Sequence, residues 1–327
     1  MPILYLLSPG AVASKSGGRV VVAKDGSVQY SIPLKTVKQV VISKYAQIST
    51  QLIAELIVNK VIIIYVDYKG RVLSYLGGHR VGANKLIQQV NLFTNSVYQL
   101  ELARYIVKHK IMAQTELLKR YVKKDSSGEI NNSLQYLKQA FFMCQRSASV
   151  EKLRGTEGMA SKYYFEAFSS VLRADTWQWV GREHKGTMDP VNSLLSYAYS
   201  FLEREVRLAM MEIYLDERIG VLHSNNGRKD SLVYDLMDLL RQKVTDRLVL
   251  KVLNVKTFSI DDFVFEEKGC FLSSQGQVKW IEVYEKYMET EFKGLDGLTP
   301  RKLIEREVKD FYKQVREYQK ETADNSK

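Results

Sequence analysis

The chain has 327 residues, 45% hydrophobic and 26% charged, which is enough for two compact cores and is the makeup of an ordinary soluble protein. Its formal charge of +11 favours polyanionic partners, either nucleic acid or an acidic membrane surface. The two cysteines, Cys144 and Cys270, lie far apart and lack any Cys-x-x-Cys or Cys/His spacing, so neither a disulfide framework nor a zinc module is indicated and a reducing cytoplasm is expected.

The charge is uneven: residues 1–124 hold 18 Lys and Arg against 5 Asp and Glu, and the remainder holds 30 against 32. The apolar start, Ile3 to Leu7, lacks a positive flank and is too short for a signal peptide. Val61 to Val66 is strand-sized, far below a membrane span.

Residues 1–78 read as a small β-rich domain. Arg19–Lys24 and Ser27–Ile32 flank Asp25-Gly26, a strong hairpin signal. Thr36–Ile42, Val61–Asp67 and Arg71–Leu76 add strands. Ser49-Thr50, followed by Leu52, Ile53, Leu56 and Ile57, predicts one short helix. Residues 79–84 read as a linker after a glycine-rich hinge, and residues 85–320 as a larger all-α domain. Helices are predicted from Ala83 to about Val122, as one or two, and over Asn131–Arg146, Glu157–Leu172, Val191–Asp216, Asp230–Leu253 and Glu282–Phe292. The last starts at Thr299-Pro300 and carries the stripe Ile304, Val308, Phe311, Val315 and Tyr318, suited to its own domain or to a partner groove. Residues 321–327 read as a frayed tail. The fold class is therefore α+β.

No phosphate loop, Gly-x-Gly-x-x-Gly, His-Glu-x-x-His or Gly-x-Ser-x-Gly is present. What stands out instead is Gly220-Val-Leu-His223, followed by a helix bearing Asp235 and Asp238 three residues apart on one flank. Asp230-Ser231 can cap that helix, and Leu232, Leu236, Leu239 and Leu240 form its buried face, leaving both aspartates off the core stripe and able to face a cleft. A hard divalent cation suits such a spot; two solvated aspartates favoured by a helix dipole are the ordinary alternative. His223 is a ligand or base candidate, or simply a hydrogen-bonded loop histidine. Glu157 lies near Gly155 and Gly158 at a predicted helix start, where it could meet the dipole or line a cleft that a ligand approaches closely. Arg154, Lys162, Arg228 and Arg241 suit phosphate, although exposed arginines are common. Tyr163, Tyr164, Trp177 and Trp179 could stack on bases, but core packing is the usual task of aromatics.

In order and spacing, several segments resemble the CRISPR-associated Cas-one integrases. They are Gly17-Gly-Arg-Val-Val-Val22 with Ile32-Pro-Leu34, Ile48-Ser-Thr50, Arg154-Gly-Thr-Glu-Gly-Met-Ala160, Asp189-Pro-Val-Asn192, the stretch from Gly220 to Arg241, Asp246-Arg247 and Phe271-Leu-Ser-Ser-Gln-Gly276. The resemblance implies that Glu157, His223 and Asp238 are metal ligands for Mg²⁺ or Mn²⁺, and that Asp235 is the accompanying acidic catalytic residue. Many relatives carry Glu where this chain has Asp238. It further implies a homodimer formed through the β-domain, and a helical catalytic domain. The expected partners are prespacer and CRISPR-repeat DNA and the small Cas-two protein; no membrane role is expected. The implied activity is insertion of prespacer DNA into a CRISPR array by 3′-OH transesterification. A stand-alone metal-dependent nuclease on branched DNA and a catalytically silent DNA-binding scaffold are the alternatives.

Overall fold

The computed structural model describes residues 3–68, 70–77, 81–124, 128–172, 177, 179, 181–183, 188–223 and 230–324. The chain divides into two compact units, residues 1–80 and 81–327. His79 and Arg80 of the expected linker lie outside the described residues; Val81 and Gly82 lead directly into a helix at Ala83, inside the expected linker range.

The first unit holds two four-stranded sheets and one helix. β1 (Ile3–Leu6), β5 (Gln39–Ser43) and β7 (Ile62–Val66) run parallel, and β8 (Val72–Leu76) closes that sheet antiparallel to β7. In the second sheet, β4 (Ser27–Pro33), β3 (Arg19–Lys24) and β2 (Val12–Ser16) are antiparallel, and β6 (Gln47–Ile48) lies parallel to β2. The β3–β4 turn has positive φ at both Asp25 (50°) and Gly26 (77°), the twist that a two-residue hairpin loop needs. The apolar N-terminal run is strand β1, and residues 34–36 form a 3₁₀ turn ahead of β5. Helix α1 (Thr50–Val58) begins where Ser49 accepts a hydrogen bond from the Leu52 amide at 3.3 Å. Its Leu52 and Leu56 join Leu6, Val20, Val22, Val40 and Ile63 in an apolar core, each side chain contributing about 1.5–3 kcal/mol on burial.

The second unit is mostly helical. The predicted long helix is broken into α2 (Ala83–Thr94) and α3 (Ser96–Lys119) at Asn95, whose extended backbone lets its side chain cap Val97 and Tyr98. α4 (Glu129–Arg146) follows, then α5 (Val150–Val171), capped by Ser149. Because α5 starts seven residues before the predicted boundary, Glu157 sits in the helix interior rather than at its first turn. α6 (Pro190–Met210) starts on the Asp189 cap and its N1 proline.

The helix expected over Asp230–Leu253 is interrupted. α7 (Ser231–Asp238) ends in a turn, a π-helical turn spans Gln242–Asp246, and α8 (Arg247–Asn254) completes the segment. Asp230 makes no side-chain cap. The unit is not wholly α: β9 (Phe263–Glu266) and β10 (Gly269–Leu272) form a hairpin whose four-residue strands are too short to show a period in sequence. α9 (Ser274–Met288) and α10 (Pro300–Asp324) close the unit. The α10 stripe turns inward, with Ile304, Val308, Phe311 and Val315 buried against the unit's own helices and Tyr318 against Tyr98. α10 continues past residue 321, the expected start of fraying, to Asp324.

Candidate active site

The segment Val221–His223 wraps around one buried carboxylate. Asp235 Oδ2 accepts from the amides of Val221 (2.6 Å) and Leu222 (3.1 Å), while Oδ1 accepts from the His223 amide (2.9 Å) and stands 2.7 Å from His223 Nδ1. Gly220 permits this approach, because a Cβ there would lie 2.6 Å from Asp235 Oδ2 and 2.8 Å from the Ser231 carbonyl carbon. Asp235, expected to face a cleft beside Asp238, is instead fully enclosed, with four contacts on its two oxygens. In this arrangement a proton on Nδ1 directed at Asp235 leaves the lone pair on His223 Nε2 free for a ligand. Burial pulls the His223 imidazole pKa down, but the Asp235 hydrogen bond and the charges of Asp238 and Asp235 outweigh it, so the net shift is upward.

Asp238 lies three residues further along α7 and is also buried. Its partner is a residue the sequence reading passed over. Lys110 projects from the apolar face of α3, among Ile106, Val107, Ile111 and Gln114, and its ammonium contacts both Glu157 Oε1 on α5 and Asp238 Oδ1, the latter at 3.1 Å. Arg241 approaches the same Asp238 oxygen at 3.1 Å, and Ser161 donates to Glu157 Oε1 at 2.7 Å. Burial pushes the Asp238 carboxyl pKa up, yet Lys110, Arg241 and His223 together hold it below the usual carboxylate value. Three helices thus bring Glu157 and Asp238 to one cation, with His223 close enough to act on Asp238 electrostatically. A lysine at a core position of α3 was the available signal, since lysine is almost never fully buried unless paired.

The expected basic rim is rearranged. Arg154 Nε donates to the Leu222 carbonyl at 2.5 Å, tying the histidine segment to α5. Lys162 is exposed and 3.9 Å from Glu166. Arg228 lies outside the described residues. Arg241 points inward, its guanidinium over the Tyr199 ring at 5.0 Å. Tyr199 (2.7 Å) and Tyr164 (2.8 Å) both donate to Asp246, on the π-helical turn that follows Arg241. Of the candidate stacking aromatics, Tyr164 and Trp177 are core residues, Trp179 packs edge-on against Phe168, and Tyr163 stacks on Tyr136 at 3.8 Å. A Cβ at Gly155 or Gly158 would meet nothing within 4 Å, so both sites are open beside Glu157.

The model of the family described as CRISPR associated protein Cas1 matches residues 4–286. The chain belongs to that family. It is 29% identical over 296 residues to a CRISPR-associated endonuclease Cas1 of Thermodesulfovibrio yellowstonii, covering 87% of this chain and 91% of that protein. Its fold is similar to that of a Cas1 protein from Thermotoga maritima, with a TM-score of 0.81, 22% identity and coverage of 96% of this chain and 97% of that one. It is also similar to a casposase bound to integration product, at TM-score 0.80 and 21% identity, over 96% and 90% of the two chains.

For a Cas1-family chain, the donor set of two carboxylates and one imidazole is chemically suited to Mg²⁺ or Mn²⁺. Asp238 Oδ1, though buried and near two cations, completes a directed hydrogen bond with neither, as suits an oxygen whose stronger partner is a metal. Among the described residues, no three His, Cys, Asp or Glu side chains stand close enough together to hold an ion as they lie. Lys110 occupies that ground at Glu157 and Asp238. Among the same residues, no helix is long and apolar enough to cross a membrane.

Proposed function

We propose that this Cas1-family protein joins prespacer DNA to a CRISPR repeat by metal-dependent phosphoryl transfer. The observation that carries the reading is the meeting of Glu157 and Asp238 on one cation, beside an imidazole aimed by Asp235. Glu157, His223 and Asp238 would hold the ion. A bound Mg²⁺ or Mn²⁺ supplies positive charge at the scissile phosphate and its departing oxygen. The Asp235 bond keeps Nε2 of His223 available as donor, and Arg154 holds the same segment through Leu222. Glu157 is itself partly exposed, so a DNA phosphate can approach it.

A prespacer 3′-hydroxyl attacks phosphorus in the repeat, a new ester bond forms, and the bond to the original 3′-oxygen breaks, so no covalent protein intermediate is needed. The family resemblance supplies the expected assembly, a homodimer bridged by the small Cas-two protein. The test is integration of a short duplex into a plasmid bearing a leader and repeat, with and without that partner and Mg²⁺ or Mn²⁺. Ordered joining at the repeat ends is the expected product. Cutting without covalent joining would favour the stand-alone nuclease, and normal DNA assembly with no metal-dependent chemistry would favour the silent scaffold.

A further inference from the structure

We infer that Lys110 is a displaceable counter-cation that sets the affinity of the site for divalent metal and couples metal binding to DNA binding. The inference rests on the metal reading above. The three proposed ligands are held in two different ways. His223 is fixed without help from Lys110, by Asp235 and by the backbone segment that Gly220 admits. Glu157 and Asp238 are instead tied to the Lys110 ammonium, and Arg241 takes a share of Asp238.

With Lys110 and Arg241 charged, the two carboxylates are already neutralised, so an arriving ion adds two charges to a balanced interior. Opposed by a fixed lysine, that addition is unfavourable, because like charges a few ångströms apart repel strongly where water is scarce. Lysine can yield where arginine would not: its ammonium is a point charge on a flexible four-carbon stem, with no planar fork locked to one carboxylate. The Lys110 contact with Asp238 is a single ion pair at 3.1 Å, and Arg241 stays on the same oxygen when the ammonium leaves.

A displaced ammonium stays tethered to α3, near the partly exposed Glu157. There it needs a new anion, and a DNA phosphate supplies one. Metal and DNA then each favour the other's binding, and the coupling is reciprocal by linkage.

The test measures Mn²⁺ binding by calorimetry and electron paramagnetic resonance, on the full chain and on Lys110→Met, with and without a short DNA duplex. Lys110→Met is expected to bind Mn²⁺ about tenfold tighter or more without DNA. The duplex should tighten Mn²⁺ binding in the parent chain and much less in the variant. Equal or weaker Mn²⁺ binding by the variant overturns the inference, since Lys110 would then be a strut that shapes the ligands. If neither protein binds Mn²⁺, and Asp238→Asn changes nothing, it is the metal reading that fails. Should Lys110→Met not fold, lysine-selective NMR of the parent chain decides: Mg²⁺ must shift the Lys110 ammonium signal, and an unmoved signal at saturation overturns the inference.

Discussion

Among the described residues the β unit buries no charged side chain, whereas the helical unit encloses ten, including Lys110, Glu205, Asp235, Asp238, Asp246 and Arg301. The β interior is apolar apart from Gln39 and Ser43, and it is stabilised by area. Enclosed charge costs free energy unless it is paired, so each such group needs a partner. Within the helical unit the pairing takes two forms. Arg301 donates to both oxygens of Glu205 and also reaches Glu285 and Glu289, a closed strut. The Arg301–Glu205 pair is closed by hydrogen bonds on both carboxylate oxygens, whereas at the candidate site Asp238 keeps one oxygen outside such a bond.

The sharpest way to break that contrast is Glu157→Gln, which keeps shape and removes charge at a partly exposed position. Strand transfer is expected to fall by roughly 10³-fold or more, because charge stabilisation at the phosphate is lost. The melting temperature should fall, because the buried Lys110 loses one of its two carboxylates. Transfer within tenfold of the parent would remove Glu157 from the ligand set.

Ile63→Ala addresses the other side. The residue is fully buried in β7, and its truncation should cost about 2–5 kcal/mol of β-unit stability, read by denaturant unfolding. Below the melting range the reacting groups are untouched, so the chemical step on bound DNA should persist. A loss as deep as that of Glu157→Gln, with both units still folded, would show that the β core governs the chemistry.

Gly220→Ala falls between the two classes. The added methyl would overlap Asp235 Oδ2 and the Ser231 backbone, and relief of such overlap typically costs about 1–3 kcal/mol. His223 should lose its fixed setting, seen as a weakened Nδ1–H signal in imidazole NMR and weaker Mn²⁺ binding. An unchanged imidazole spectrum would mean that Asp235 is not what orients it.

What was legible in the sequence follows the same division. The β3–β4 hairpin was readable because Asp25-Gly26 announces its turn, and the α10 stripe because its apolar period is regular. Glu157, His223 and Asp238 were singled out as ligand candidates by the order of their motifs, not by spacing, which left each with an ordinary alternative. The burial of Asp235 was not readable: the backbone amides that enclose it come from residues 221–223, and amides carry no sequence signature. Lys110 lies 47 residues from Glu157, and only packing α3 against α5 and α7 makes them partners. The π-helical turn between α7 and α8 was likewise not readable; it ends at Asp246, which two tyrosines from α5 and α6 hold inside the core.

The smallest expected effect separates the two described histidines, both in the helical unit. His109 is shifted below its ordinary value of 6.5, chiefly by burial. His223 is shifted above 6.5, because Asp235 and Asp238 outweigh its burial. A raised folded pKa adds stability that is fully present below pH 6.5 and is lost as pH climbs through the folded value; a lowered one costs stability on the acid side of 6.5. In chelator, the His223 contribution to melting temperature should therefore fall as pH rises above 6.5, and His223→Gln should flatten that limb without altering the acid limb. Mn²⁺ affinity should move oppositely over the same interval, since only the unprotonated imidazole can ligate. If His223→Gln leaves the alkaline limb intact, the imidazole is not held by the buried carboxylate as a charged partner, and the contrast between closed and open carboxylates would have to be drawn without it.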